Sequence, residues 1–204
     1  MTVIVAARTE ADGVVMASDS QTVDEYVKET LTEAKIWSED GYIFGGCGDI
    51  RFMQVLRYFT IWPKRAPEKW DHGFLVTEVI PAMQTALRDN GALMNNDAAP
   101  GTWMMEGQLI IARGDNIATL VDNFGAMISV AGLASVGTGS EVALGTFSGY
   151  GPWTREQVIK SVRQAIQHSV NVGGRVYVVT TKDPDVVRIV DEPVESKPFT
   201  TEGR

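Results

Sequence analysis

Thr2 follows Met1 and opens the β-prone run Val3-Ile4-Val5-Ala6-Ala7. Removal of Met1 would leave Thr2 with a free α-amino group beside its own hydroxyl. One residue would then hold both nucleophile and base, a known way to make a hydroxyl attack an amide. An α-amino group titrates near about 7.7–8.0, so a useful fraction is neutral at physiological pH and can take the hydroxyl proton. Other chemistry-bearing residues offer less. Cys47, the only cysteine, lies in an apolar context and reads as small packing. His72 falls in a loop and His168 near a helix end, and no Ser or Cys partner can be assigned to either. Gly137-Thr138-Gly139-Ser140 precedes a helix as a phosphate cradle would, yet lacks the Lys-Ser/Thr and fuller glycine spacing of nucleotide sites. It reads instead as a helix entrance.

The elements that must position these residues follow from pattern. In 204 residues, 44% hydrophobic content supplies one substantial core, so residues 1–191 are expected to form a single domain. Residues 192–204, polar and Pro-containing, read as a mobile tail. A net charge of -8 supplies no basic field for a phosphate backbone, which argues against a nucleic-acid partner. One cysteine and two histidines write neither an intrachain disulfide nor a zinc cluster, and no metal or cofactor is expected. There is no signal-peptide pattern and no run approaching the roughly 20 apolar residues that span a bilayer. The expectation is a cytoplasmic protein, free of the membrane, processed only at Met1.

Along the chain, residues 2–8 and 14–18 form a hairpin about Glu10-Ala11-Asp12-Gly13, where Asp-Gly is a strong turn signal. After a polar stretch, Ala34–Trp37 and Tyr42–Phe44 read as a second hairpin. Gly45-Gly46-Cys47-Gly48-Asp49 then reads as the turn that delivers the chain into a helix over 50–59. A second helix is expected over 74–90, stopped by Gly91, with Pro81 forcing a kink or a later start. Residues 108–113, 117–121 and 126–130 form a strand meander. A short helix from Glu141 and a longer one over 155–171 follow, the latter with a Thr154/Gln157 capping box. Strands 175–181 and 186–190 close the domain. Helices arriving in pairs between blocks of hairpins fit an antiparallel sheet stack covered by helix pairs better than alternating βαβ units.

Five segments, in order, resemble the N-terminal-nucleophile hydrolases of the proteasome β-subunit and bacterial HslV type. They are Thr2–Val5, Val15-Met16-Ala17-Ser18-Asp19-Ser20-Gln21, Ala34-Lys35-Ile36, Ile43-Phe44-Gly45-Gly46-Cys47-Gly48-Asp49 and Ser135-Val136-Gly137-Thr138-Gly139-Ser140. The resemblance implies an α+β fold, the four-layer αββα sandwich with two antiparallel sheets between helix pairs. It implies that Thr2 is the nucleophile, Asp19 its acidic partner, Lys35 the active-site lysine, and Thr138 a hydroxyl near the N-terminal amine. Gly45 and Gly46 resemble the segment whose backbone N–H polarises the substrate carbonyl, and Ile43 a specificity-pocket position. Asp19 and Lys35 both lie one residue farther from Thr2 than is usual in the family, which a single added residue in the Glu10–Gly13 turn explains. Proteasome subunits place an aspartate at the end of the long helix where this chain has Ser169.

The resemblance further implies a threonine-type endopeptidase acting on unfolded polypeptide, a homo-oligomeric ring, and an ATP-driven unfoldase partner. Trp62 and Trp70 would suit a subunit interface if exposed. Two alternatives stand beside it: a catalytically silent shell subunit of the same fold, and an N-terminal-nucleophile amidase acting on a small amide.

Overall fold

The computed structural model describes residues 1–24, 27–31, 33–95, 101–149, 151–185 and 187–190. The expected mobile tail, 192–204, lies outside them. The chain opens with the hairpin β1 (Ile4–Thr9) and β2 (Gly13–Ser18), registered Ile4 to Ser18 and turning at Gly13, whose φ is +67°. A small hairpin, β3 (Gln21–Asp24) and β4 (Val27–Thr30), follows, then β5 (Ile36–Glu39) and β6 (Tyr42–Gly48). Helix α1 (Ile50–Phe59) starts at Asp49, whose carboxylate accepts the N–H groups of Arg51 and Phe52.

The expected second helix is built in three pieces: α2 (His72–Phe74), a π turn (Leu75–Val79) and α3 (Ile80–Asp89). Pro81 therefore sits in the first turn of α3, where its missing N–H costs no α-helical bond, and the wider π turn accommodates the junction. Gly91, at φ +66°, ends the run. The two-residue strands β7 (Met94–Asn95) and β8 (Trp103–Met104) lead into β9 (Gly107–Arg113), β10 (Asn116–Leu120), β11 (Ala126–Ile128) and β12 (Leu133–Val136). Helix α4 (Ser140–Leu144) and the longer α5 (Arg155–His168) follow, and the Thr154/Gln157 capping box is formed in both directions. Strands β13 (Val176–Thr180) and β14 (Arg188–Val190) complete the described fold.

Two five-stranded antiparallel sheets result, in the orders β12-β1-β2-β13-β14 and β11-β10-β9-β6-β5. Three apolar layers separate four layers of structure. Between the sheets lie Ile4, Met16, Ile36, Ile43, Ile110 and Val179. Beneath α1 and α3 lie Phe44, Phe52, Leu56, Met83 and Leu87; beneath α4 and α5 lie Val3, Val5, Val15, Val158 and Val162. Strands β1 and β2 are covered on both faces, which is why they read as nearly continuous apolar runs instead of alternating ones. This is the four-layer αββα sandwich.

Two local expectations are corrected. Gly45–Gly48 is not a turn but the second half of β6, paired with β5 on one side and β9 on the other. The glycines are there because neighbours approach closely: a Cβ on Gly45 would lie 2.7 Å from Ile4 Cγ2 and 2.8 Å from Met16 Sδ. Trp62 and Trp70 are buried, packed in tilted ring contacts with Phe44, Tyr42 and Phe74, so neither offers an interface. The polar stretch before Glu33 contains the hairpin β3–β4. Because Gly45 faces the layer between the sheets, Gly45→Ala is expected to cost about 1–3 kcal/mol through overpacking, measured as a lowered urea midpoint.

Candidate active site

The start of β1, the residue after β2, the residue before β5 and the turn between β12 and α4 meet at one end of the sandwich. Asp19, the residue after β2 and fully buried, joins the start of β1 and the residue before β5 to Gly173, while the turn between β12 and α4 contacts Thr2. Its Oδ1 accepts the Val3 N–H at 3.0 Å and the Lys35 ammonium at 2.8 Å, and its Oδ2 accepts the Gly173 N–H at 3.1 Å. The backbone reciprocates: Asp19 N–H donates to the Val3 carbonyl at 3.2 Å. Lys35, 4% exposed, also donates to the carbonyls of Met1, at 2.9 Å, and Gln21. Three acceptors thus match the three donors of the ammonium group. Burial lowers the Lys35 pKa below the ordinary lysine value, and the charge and hydrogen bond of Asp19 oppose that shift.

Thr2 is 4% exposed. With Met1 attached its nitrogen is an amide, whose N–H lies 3.4 Å from Thr138 Oγ1, while its carbonyl accepts from Gly139 N–H at 3.1 Å. Gly137 makes this approach possible. Its φ is +92°, and a Cβ there would come within 2.3 Å of the Thr2 carbonyl oxygen. Cleavage after Met1 would turn the Thr2 amide into an amine near the Thr138 hydroxyl, and would free Lys35 of its Met1 partner.

The remaining predicted residues are placed as follows. Gly45 and Gly46 lie in β6 beside Lys35, and Gly46 N–H donates to the Lys35 carbonyl at 3.1 Å. Ile43 is fully buried between the sheets. The cleft next to Lys35, about 280 Å³, is lined instead by Leu31, Trp37, Met53 and Arg57 among others. Ser169 caps the C-terminus of α5, its N–H on the Ala165 carbonyl. Cys47 is buried, and burial pushes its thiol pKa up, which disfavours the thiolate needed for attack. Among the described residues no group of three or more His, Cys, Asp and Glu could hold a metal, and no helix is long and apolar enough to cross a membrane.

Sequence reading missed the partners that hold Asp19 and Lys35 from behind. Gly173 N–H on Asp19, the Gln21 carbonyl on Lys35, and Ser20 Oγ accepting Arg175 N–H are contacts of backbone groups. The one available signal was the Gly173-Gly174 pair. A Cβ at Gly174, φ +78°, would meet Ser20 Oγ at 2.4 Å, and one at Gly173 would meet Gln21 Oε1 at 2.3 Å.

The four layers define the class of fold: the αββα sandwich of proteasome-like proteins. Solved structures agree. The Thiobacillus denitrificans BPH, solved in complex with epoxomicin, superposes with a TM-score of 0.68 at 18% identity, covering 88% of this chain and 99% of that one. Anbu (ancestral beta-subunit) from Yersinia bercovieri superposes with a TM-score of 0.62 at 14% identity, covering 95% and 89%. No protein-family profile matches the sequence, and no curated protein matches it.

Asp19→Asn is expected to destabilise the fold by about 3–5 kcal/mol, measured by chemical denaturation. An amide carries two donors of its own, so it cannot accept from Val3, Gly173 and Lys35 together, and the buried ammonium loses its counter-charge.

Proposed function

We propose that this chain is a threonine-type endopeptidase that uses Thr2 as an N-terminal nucleophile once Met1 is removed. The observation that carries this reading is the Lys35 ammonium, held by buried Asp19 and directed onto the carbonyl joined to the Thr2 nitrogen. A lysine serving only a surface or a strand edge would not be buried against the first peptide bond of the chain.

In the proposed reaction the neutral Thr2 amine takes the hydroxyl proton, directly or through a water. Thr2 Oγ1 attacks the substrate carbonyl, and the Lys35 ammonium stabilises negative charge at that oxygen. The tetrahedral oxyanion requires backbone N–H donors. Gly45 and Gly46 are the proposed source, with Gly46 exchanging its present bond to the Lys35 carbonyl. Collapse breaks the C–N bond, and the departing amine takes the proton from the Thr2 ammonium. An ester on Thr2 remains. Water then attacks the ester with the Thr2 amine again as base, releasing the carboxylic acid and restoring the hydroxyl. Thr138 Oγ1 orients the amine, and Asp19 holds Lys35.

Proteasome and HslV resemblance supports placing this site in a homo-oligomeric ring that receives unfolded polypeptide from an ATP-driven unfoldase in the cytoplasm. The full chain is expected to lose Met1, seen as intact mass, and to be labelled on Thr2 by epoxomicin, seen by peptide mapping. Thr2→Ala is expected to fold and to show neither label nor turnover. Processed protein without label would overturn the peptidase reading in favour of a silent shell subunit, as would retention of Met1.

The pH dependence follows from the two groups. Activity requires a neutral amine, so it rises as pH passes about 7.7–8.0. It also requires Lys35 protonated, so it falls as pH passes the Lys35 midpoint, which burial draws below the ordinary lysine value. A bell-shaped kcat profile is expected, and Lys35→Arg should move its alkaline limb upward in whatever activity remains.

A further inference from the structure

Two consecutive residues of α1 hold the chain on either side of Lys35. Arg57 Nη2 donates to the Ala34 carbonyl at 2.8 Å and to the Ile36 carbonyl at 3.0 Å. Its Nη1 meets Glu33 Oε2 at 3.0 Å, and the guanidinium lies over the Trp37 ring, 5.0 Å from the centroid. The Tyr58 hydroxyl donates to Glu33 Oε1 at 2.8 Å. Every contact falls within residues 33–37.

Strand β5 begins only at Ile36, so at Lys35 the ladder is reduced to the single Gly46–Lys35 bond. With its two neighbours' carbonyls tied to α1, Lys35 is left to direct its own side chain inward, toward Asp19 and Met1. A cation in the last turn of a helix needs no explanation beyond the helix dipole. Two bonds to carbonyls of another element, flanking one buried lysine, do.

We propose that Arg57 is a positioning residue for Lys35: by bridging the Ala34 and Ile36 carbonyls it fixes the backbone from which the ammonium reaches Thr2. This deepens the peptidase reading and rests on it. Arginine suits the task and lysine does not, because the planar fork serves two carbonyls and a carboxylate at once while its face packs on Trp37. The flexible ammonium of a lysine holds no such fixed pattern. Arg57 also lines the cleft beside Lys35, so a direct contact with substrate is the competing explanation to be separated.

The test uses the full, Met1-processed chain and epoxomicin as probe, with label formation on Thr2 followed against probe concentration and pH. Arg57→Lys and Arg57→Gln are expected to lower the maximal labelling rate about 10- to 100-fold, the cost of a misplaced catalytic group, with the half-saturating concentration unchanged. In parallel, the Lys35 midpoint is read by NMR of 13C-labelled lysine, its signal assigned by loss in Lys35→Arg. The midpoint is expected to move up in both Arg57 variants, because a loosened segment admits water to a group whose pKa burial lowers. If Arg57→Gln does not fold, Arg57→Lys, which keeps the charge, decides. A variant that labels at the wild-type maximal rate overturns the proposal; if its half-saturating concentration alone rises, Arg57 is a wall of the cleft. Absence of label on wild-type protein overturns the peptidase reading, and the Lys35 titration then decides alone: an unchanged midpoint rejects the positioning role.

Discussion

The carboxylate of Asp19 is the constraint on which this end of the molecule depends. A fully buried charge is costly unless every lone pair is used, and here a strand N–H, a glycine N–H and an ammonium use them. Those three donors come from the start of β1, the approach to β13 and the approach to β5. One side chain thereby ties together the start of β1, the approach to β13 in the first sheet, and the edge of the second sheet. The ion pair is also a pair of mutual obligations. Lys35 is accommodated in the protein interior because Asp19 and two carbonyls receive it, and Asp19 in turn has the Lys35 ammonium at 2.8 Å.

Packing explains why such a charged cluster can exist at the end of a sandwich whose centre is wholly apolar. From Val3 to Ala7 the side chains alternate between the layer shared by the two sheets and the layer under α5, leaving no polar position between Thr2 and Arg8. Polar groups are therefore confined to where strands begin and end, and the turn at Gly137 closes over the chain start by backbone contact. On the other side, α1 packs its Phe52, Val55 and Leu56 under the second sheet. It presents Arg57 and Tyr58 to the segment that carries Lys35. Helix packing and site geometry are in this way coupled through two adjacent residues.

Much of this was legible from local pattern. The Asp-Gly turn, the Thr154 capping box and the stop at Gly91 are decided by near neighbours in sequence, and the structure has all three. Pro81 announced a disruption, although only packing selected a π turn before it over a kink. Gly45–Gly48 misled for a physical reason. Glycine is a turn former when its backbone freedom is what matters, but at Gly45 its small size matters, because Ile4 and Met16 of the opposite sheet press on β6 there. Trp62 and Trp70, in a stretch of Pro and charge, carry no local sign that Phe44 and Tyr42 await them across the second sheet.

The sequence by itself determined the inventory: a threonine after Met1, an acid and a lysine following the first strands, and most of the strands and helices. These follow from residue chemistry and short-range periodicity, which act within a few positions of the chain. Tertiary structure alone decided which groups meet. Gly173 reaches Asp19 across 154 positions, Thr138 reaches Thr2 across 136, and Arg57 reaches past 20 residues to the carbonyls beside Lys35. Each such contact has on one side a backbone group, which no residue type marks. They exist only because burying three apolar layers brings the strand ends to one place.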